Sequence, residues 1–312
     1  FYDVDGFRFD LMGLIDIKTM KEAKETLKRI KKNIIFYGEG WAIPCPLHSK
    51  DCTTILNSFE TKDIGFFNDS YRDILKGSNF DFAKKGYVNG DYSYVDGVYY
   101  ALMATIVEHV FPQRFFDANQ SINYVECHDN HTVFDKFSLS VSDADEDTLL
   151  KLVMLTNGIV AFSFGVPFFH MGQEIGLSKY LQDNSYNTGD KYNKMDYAIL
   201  DKRFACATYF KELLSMRRKF SAYSLYKKED IKDFFEFIKL DNGGFALKTN
   251  KMKGYKDLIL LVNPTNTPYY LDLGDYYEYV FARAGVIDDE KSYAKNITIS
   301  PYNLVWLAKK EK

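Results

Sequence analysis

Short apolar runs alternate with an amphipathic segment at the start of the chain, and this alternation most limits the fold. Residues 4–10 and 33–37 are long enough for strands and too short for helices. Between them, residues 17–32 repeat with a period close to 3.6 and predict a helix. Its apolar face consists of Ile17, Met20, Ala23, Leu27 and Ile30. This order is typical of a parallel sheet covered by helices.

The alternation continues as far as residue 219. We predict further strands at 64–67, 122–126 and 166–169. We predict further helices at 99–110, at 145–157 and from the N-cap Asp201 to about Lys219. Five strands alternating with helices correspond to five-eighths of a (β/α)8 barrel, so we predict a partial TIM barrel. An open doubly wound sheet is the alternative, although the sequence has no glycine-rich phosphate loop after a strand.

The pattern changes after Phe220, where strands follow one another without helices. Residues 234–240 and 245–249 flank an Asp-Asn-Gly-Gly segment, which predicts a hairpin. Further strands are predicted at 258–262, 269–273, 278–282 and 304–308. We therefore divide the chain into an α/β part, residues 1–219, and an antiparallel β-sandwich domain, residues 220–312.

Charge and composition argue against several classes of partner. The formal net charge of −3 gives no basis for nucleic-acid binding, and ordinary fractions of apolar and charged residues argue against a membrane bundle. The five histidines fall in no metal-ligand spacing, so we predict no zinc and no cofactor. We expect free buried thiols at Cys45, Cys52, Cys127 and Cys206, with a Cys45–Cys52 pair as the alternative.

Three acidic residues follow predicted strands. Asp10 ends the first strand, Glu39 lies between two glycines after the second, and Asp129 follows the strand at 122–126. Barrel active sites lie at these strand ends, so the three acids would converge in a closed barrel. Asp10 and Glu39 then fit glycoside hydrolysis, in which one carboxylate attacks and the other donates a proton. We expect Glu39 to be the protonated one, because burial and nearby carboxylates disfavour its charge.

Each of these residues also has a structural interpretation. Arg8 and Asp10 share one face of the strand, where they can form a buried ion pair that fixes the register. Alternatively, Arg8 keeps Asp10 ionised as a nucleophile. Glu39 can be an ordinary solvated loop acid, and Trp41 either packs in the core or stacks against a sugar ring. The residues alone leave these alternatives open.

Several separated motifs resemble those of one enzyme superfamily. The segments DGFRFD (5–10), GEGW (38–41) and HDN (128–130) resemble conserved regions of the α-amylase superfamily of glycoside hydrolases. Within that superfamily, the sequence is similar to type I pullulanases, which are α-1,6-debranching enzymes. That similarity lies in DGFRFDLMG (5–13), FND (67–69), GQE (172–174) and NSYNTGD (184–190). The resemblance covers most of residues 1–219.

The resemblance implies a role for each matched residue. Asp10 would be the nucleophile, Glu39 the general acid/base, and Asp129 the residue that stabilises the transition state. Arg8 would orient Asp10, and His128 would contact the sugar in the central subsite. The other substrate-binding residues would be Trp41, Asp69, Met12, Asn184 and Tyr186. His131 departs from the expected motif and receives no role.

The resemblance also implies an activity and a larger protein. The activity is retaining hydrolysis of α-1,6-glucosidic bonds in pullulan, limit dextrins, and amylopectin or glycogen branches. An isoamylase-like or α-1,4-acting enzyme and a non-catalytic glucan-binding or structural fragment are the alternatives. Because the chain starts at Phe1, we expect it to hold barrel strands 4–8, with the earlier strands supplied by its parent chain, and to be inactive alone. The resemblance is compatible with a bound calcium ion, although no acid-rich loop in the sequence forms a recognisable calcium ligand set. Both a cytoplasmic and a secreted location fit the sequence.

Overall fold

The first of two sheets is parallel and follows the order of the chain. A computed structural model describes residues 2–249, 255–282 and 293–310. The sheet consists of β1 (Gly6–Phe9), β2 (Ile35–Gly38), β3 (Ile64–Phe67), β4 (Ser121–Asn123) and β5 (Val166–Pro167). All five strands are confirmed, with bounds that differ from the predicted ones by at most a few residues. Because the strands are parallel, all their C-terminal ends lie at one edge of the sheet.

Helices connect these strands and continue beyond them. They are α1 (Ile17–Lys28), α2 (Asp69–Lys76), α3 (Val95–Leu102), α4 (Val133–Ser140), α5 (Glu146–Ala161), α6 (Asp190–Asn193), α7 (Tyr197–Lys202), α8 (Phe204–Lys219) and α9 (Lys228–Phe234). The Asp16 carboxylate accepts a hydrogen bond from the Thr19 N–H and caps α1. None of the described helices is both long and apolar enough to cross a membrane.

Several helix boundaries differ from the predicted ones. Because α1 ends at Lys28, Ile30 lies outside the helix and is 82% exposed. The helix predicted at 99–110 begins earlier and ends at Leu102, since Ala104 and Thr105 have positive φ angles of 53° and 56°. The predicted N-cap Asp201 lies inside the short helix α7 instead. Both α2 and α4 were missed because each has only eight residues, too few for a helical period to be distinguished in the sequence.

The second sheet is antiparallel and lies C-terminal to α9. It consists of β6 (Phe235–Lys239), β7 (Phe245–Thr249), β8 (Tyr255–Asn263), β9 (Tyr269–Ala282), β10 (Tyr293–Ile299) and β11 (Asn303–Lys310). The predicted hairpin is confirmed by the pairing of β6 with β7. The strands predicted at 269–273 and 278–282 are parts of β9, and β10 was missed. All these strands share one sheet, and a second sheet, as a sandwich requires, is not found among the described residues.

One face of this second sheet packs on the helices of the α/β part. Trp306 of β11 is fully buried and its ring contacts Phe162, with ring centroids 5.3 Å apart. Helix α5 approaches the same strand so closely that a Cβ on Gly158 would lie 2.1 Å from a methyl carbon of Leu304. The antiparallel sheet therefore shares a hydrophobic core with the helices that cover the parallel sheet.

Candidate active site

A cavity of about 620 Å³ opens at the C-terminal ends of the parallel strands. Its wall consists of Arg8, Tyr37, Glu39, Trp41, Ile43, Phe67, Asp69, Arg72, Phe80, Tyr124, Cys127, His128, Asp129, Asn130 and Phe168. Almost all of these residues lie on, or just after, one of the five strands, so the sheet itself brings them together. Its mixture of aromatic and ionisable side chains is typical of a ligand site.

Arg8 joins two of the predicted catalytic acids. Phe9 pairs with Gly38 in the parallel register, so the chain leaves β1 and β2 with Asp10 beside Glu39. The two terminal nitrogens of the Arg8 guanidinium then bind one acid each. Nη1 donates to Asp10 Oδ1 at 2.8 Å, and Nη2 donates to Glu39 Oε1 at 2.6 Å. A planar guanidinium fixes both carboxylates relative to one another, which a single ammonium cannot do.

The two acids differ sharply in exposure. The Asp10 side chain is 68% exposed, whereas Glu39 is only 6% exposed. The interpretation of Glu39 as a solvated loop acid is therefore wrong. A buried Arg8–Asp10 pair is also contradicted, because Asp10 is in solvent. Leu11 N–H donates to Glu39 Oε2 at 3.1 Å, so both oxygens of Glu39 accept hydrogen bonds.

His128 and Asp129 complete the ionisable group. His128 Nε2 lies 3.5 Å from Asp129 Oδ1. Glu39, His128 and Asp129 each contribute one side-chain nitrogen or oxygen atom to a cluster in which every pair of these atoms is within 4.8 Å. Among the described residues, this is the one cluster whose spacing could hold a metal ion. Its two carboxylates and one imidazole do not suit calcium, which takes six to eight oxygen ligands. We interpret the cluster as a set of acid/base groups.

Trp41 and Asp69 lie where the sequence placed them, in the wall of the cavity. Asp69 begins α2, directly after the N-cap Asn68, and its Oδ1 accepts a hydrogen bond from Arg114 Nη2 at 2.5 Å. This ion pair fixes the carboxylate near the C-terminal end of β3. Trp41 is half-buried and contacts the core with part of its ring, which leaves the remainder for a ligand.

The predicted contact of Met12 with substrate is contradicted. Met12 is fully buried, and Gly38 lies so close that a Cβ there would be 3.1 Å from the Met12 sulfur. Its side chain therefore packs against Gly38, the last residue of β2.

Asn184 and Tyr186 lie beside the site. Asn184 Oδ1 accepts a hydrogen bond from the Asn130 N–H at 3.0 Å, and the exposed Tyr186 ring stands 6.0 Å from the His128 ring.

Phe80 and Arg72 are among the residues of the cavity wall that were not predicted. Phe80, in the loop after α2, is 90% exposed and lines the cavity. Arg72 lines it one turn after Asp69 and donates from Nη1 to the Tyr124 hydroxyl at 2.8 Å. An exposed phenylalanine has no signature in a single sequence. Recognising α2 directly after the FND motif would have placed Arg72 near the site.

Comparison with known proteins shows which enzymes the chain is similar to. The pullulanase of Bacillus subtilis strain 168 is 30% identical over 311 residues, which are 98% of this chain and 43% of that enzyme. The chain is homologous to the pullulanases. This confirms the resemblance to type I pullulanases that the motifs indicated. No model of a protein family matches the sequence.

Solved pullulanase structures have the same fold over this region. The pullulanase of Anoxybacillus sp. LM18-11 complexed with maltotetraose matches with a TM-score of 0.91 and 32% identity, over 99% of this chain and 44% of that one. Pullulanase type I of Bacillus subtilis complexed with maltose matches with a TM-score of 0.93 and 28% identity, again over 99% and 44%. The chain thus spans less than half the length of these pullulanases.

Two adjacent charged residues of this pullulanase homologue hold the loops that flank the acids. Asp135 and Lys136, in the first turn of α4, are both fully buried. The Asp135 carboxylate accepts hydrogen bonds from the Ser178 hydroxyl at 2.6 Å and the Lys179 N–H at 2.7 Å. Lys136 Nζ donates to three backbone carbonyls of the other loop, those of Asp81, Phe82 and Lys84.

The same two loops also contact the segment that carries Asp129. Asn79 Nδ2 donates to Asn130 Oδ1 at 2.6 Å, and Asn184 accepts from the Asn130 backbone on the other side. Asn130 has a positive φ of 59°, which asparagine tolerates better than most residues. Helix α4 therefore holds both loops, and the loops in turn hold the turn after Asp129.

Beneath the cavity wall, Lys76 is a buried cation. It is 1% exposed, and burial lowers the pKa of Lys76 from its ordinary 10.5 to about 8. Arg72, one turn earlier in α2, lowers this pKa further, while Cys127 and Glu126 partly oppose the effect. Keeping this amine charged at neutral pH therefore costs folding free energy.

We expect Lys76→Met to raise the free energy of unfolding at pH 7 by about 2 kcal/mol, because a side chain of similar size replaces a buried charge. The folded pKa of about 8 lies below the unfolded value, so the folded chain binds fewer protons between these pH values. The contribution of Lys76 to the free energy of unfolding of the wild type therefore rises with pH, and the difference between variant and wild type shrinks towards pH 10.5. Urea unfolding at pH 7 and at pH 10 measures the free energies of unfolding of both proteins. The exposed Lys32→Met is the control. A gain in stability for Lys76→Met that is equal at both pH values, or a loss at pH 7, contradicts the prediction.

Proposed function

We propose that the full-length protein is a retaining glycoside hydrolase that cleaves α-1,6-glucosidic bonds in pullulan, limit dextrins, and amylopectin or glycogen branches. The observation that carries the proposal is the Arg8 guanidinium, which binds both Asp10 and Glu39. Asp129 lies within reach of Glu39 in the same cavity. Two carboxylates held close together are what a retaining glycosidase needs.

Each acid has a separate task in this mechanism. Asp10, accessible to solvent and bound to Arg8, attacks the anomeric carbon and forms a glycosyl-enzyme ester. Glu39 gives its proton to the leaving oxygen and then removes one from the incoming water. Because both its oxygens now accept hydrogen bonds, protonation requires one contact, to Arg8 or to the Leu11 N–H, to loosen. Asp129 stabilises the transition state through the sugar hydroxyls.

An α-glucan fits the wall of the cavity. The flat apolar faces of Trp41 and Phe80 suit the faces of glucose rings, and His128, Asp69 and Asp129 supply hydrogen-bonding groups for hydroxyls. The homologous pullulanases complexed with maltotetraose, maltotriose and maltose support this class of ligand. We propose Arg8, Trp41, Asp69, His128, Asn184 and Tyr186 as residues of the substrate site.

We infer that the parallel sheet forms strands 4–8 of a (β/α)8 barrel in residues 1–219, and that a β domain in residues 220–312 follows it and packs on its helices. The sequential parallel order of β1 to β5 and the location of the cavity at their C-terminal ends support this inference. Strands from elsewhere in the parent protein would then pair with the free edges of β1 and β5. On this basis we expect the 312-residue chain alone to be inactive.

Product analysis tests the proposed bond specificity. The full-length protein is incubated with pullulan, and the products are separated by chromatography. Maltotriose is the expected product of α-1,6 cleavage. Panose would instead show α-1,4 cleavage, and the absence of any product would overturn the proposal. The same assay on the 312-residue chain tests whether its five strands suffice, since maltotriose from that chain contradicts our expectation of inactivity.

A further inference from the structure

Two cysteines touch one another beside the candidate site. The sulfur atoms of Cys45 and Cys52 are 3.2 Å apart, although both residues are free thiols in the structure. Cys52 is buried, while Cys45 is half-buried and reachable from solvent. The S–S bond of a disulfide is about 2 Å long, so the two sulfurs need to move only a short distance towards each other to form one.

The two sulfurs differ in how firmly their backbone is held. Cys52 forms a β-bridge with Asp16, and the next residue donates its N–H to the Ile15 carbonyl at 2.8 Å. Cys45 lies between Pro44 and Pro46, which have no N–H to donate, in an irregular segment. This segment, residues 41–48, carries Trp41 and Ile43 of the cavity wall.

We propose that Cys45 and Cys52 are a modification site that forms a reversible disulfide and thereby fixes segment 41–48 at the mouth of the cavity. The bond closes a ring over residues 45–52 and ties Cys45, in the irregular segment, to the anchored Cys52. This inference rests on the sulfur contact and the backbone anchors, and it does not depend on the proposed hydrolase activity.

The reaction is a thiol–disulfide exchange with a small disulfide such as glutathione disulfide. The more accessible Cys45 thiolate attacks one sulfur of that disulfide, and a glutathione thiolate leaves. The Cys52 thiolate then attacks the Cys45 sulfur of the mixed disulfide and displaces the second glutathione. The two cysteines lose two electrons and two protons, and one glutathione disulfide becomes two glutathione thiols.

The order of attack follows from the surroundings of the two sulfurs. The hydrogen bond with Cys45 raises the pKa of the Cys52 thiol, and its partial desolvation acts in the same direction. Cys52 is also the less accessible sulfur, so the external disulfide meets Cys45 first. Cys52 then acts as the resolving thiol from its fixed position.

Peptide mapping tests the proposal directly. The protein is equilibrated with glutathione disulfide, quenched in acid, alkylated and digested with trypsin without reduction. Cleavage after Lys32, Lys50 and Lys62 puts the two cysteines on separate peptides, 33–50 and 51–62. We expect these peptides to be joined, lighter by two hydrogens than their sum, and separated by dithiothreitol. Glutathione left on Cys45 without a link to 51–62, or a link to Cys127 or Cys206, would overturn the proposal.

Tryptophan quenching tests the effect on the segment. Trp306 is fully buried, so acrylamide quenching of the chain reports mainly on Trp41. We expect oxidation to lower the quenching constant and dithiothreitol to restore it. Cys45→Ser should abolish both the linked peptide and this change, whereas Cys127→Ala, which leaves the pair intact, should keep both. Equal quenching of the linked and reduced forms would show that the disulfide does not fix the segment.

Discussion

Glu39→Gln in the full-length protein is expected to lower kcat on pullulan by about a thousandfold and to leave glucan binding nearly unchanged. The amide has nearly the size of the acid, and its oxygen still accepts the hydrogen bond from Arg8, so the only hydrogen bond lost is the longer one from the Leu11 N–H. An amide, however, cannot give a proton to the leaving oxygen. Release of reducing ends measures kcat, and calorimetry with maltotetraose measures binding.

The matched control is Glu60→Gln, which removes a largely exposed carboxylate outside the cavity wall. We expect this control to keep wild-type turnover. Wild-type turnover of Glu39→Gln would remove Glu39 from the mechanism. A loss of turnover together with a loss of maltotetraose binding would show that the substitution damages the site and would leave no support for an acid/base role.

Arg8→Lys is expected to lower kcat by about a hundredfold, since lysine keeps the charge but loses the planar fork. A lysine ammonium can bind Asp10 or Glu39 well, whereas Arg8 places one nitrogen on each at 2.8 Å and 2.6 Å. Arg8 acts through these acids and is therefore a positioning residue. Because it contacts them before substrate binds, we expect the loss in kcat to exceed the change in KM.

Two comparisons separate this effect from a general loss of structure. Arg29→Lys changes an exposed arginine after α1 and should leave kcat, KM and the melting temperature unchanged. The double variant Arg8→Lys, Glu39→Gln should be little slower than Glu39→Gln alone, because groups that act as a unit are not additive. Fully multiplicative losses would contradict the proposed coupling of Arg8 to Glu39.

The parts of the fold that sequence predicts best are those with local signals. The apolar run at 64–67 coincides with β3, and the glycine-rich turn before Phe245 joins β6 to β7. The acids were found for the same reason, since each stands at a strand end, where side chains from parallel strands meet. Arg8 joins Asp10 and Glu39 through two hydrogen bonds. The bond to Asp10 was anticipated from the sequence, whereas the bond to Glu39 depends on the register between β1 and β2.

The features that escaped prediction depend on tertiary contacts. Met12 follows the predicted nucleophile Asp10 closely in sequence, yet its side chain is buried in the core against Gly38. Phe80 looks like any core phenylalanine until its exposure is known. Helix α4 was hidden because Asp135 and Lys136, which break its apolar pattern, are buried by their contacts to two loops that are distant in sequence.

Asp135 and Lys136 hold two different loops beside the cavity, so each loop is anchored independently of the other. Each loop is tied to α4 through a different side chain, and most of these contacts go to backbone atoms of the loop, which any sequence provides. A loop side chain that lines the cavity, such as Phe80, is therefore free to vary without loss of the anchor. On the proposed function, we expect that exchanging one of these loops alone alters substrate preference, because the other loop keeps its own contact with α4.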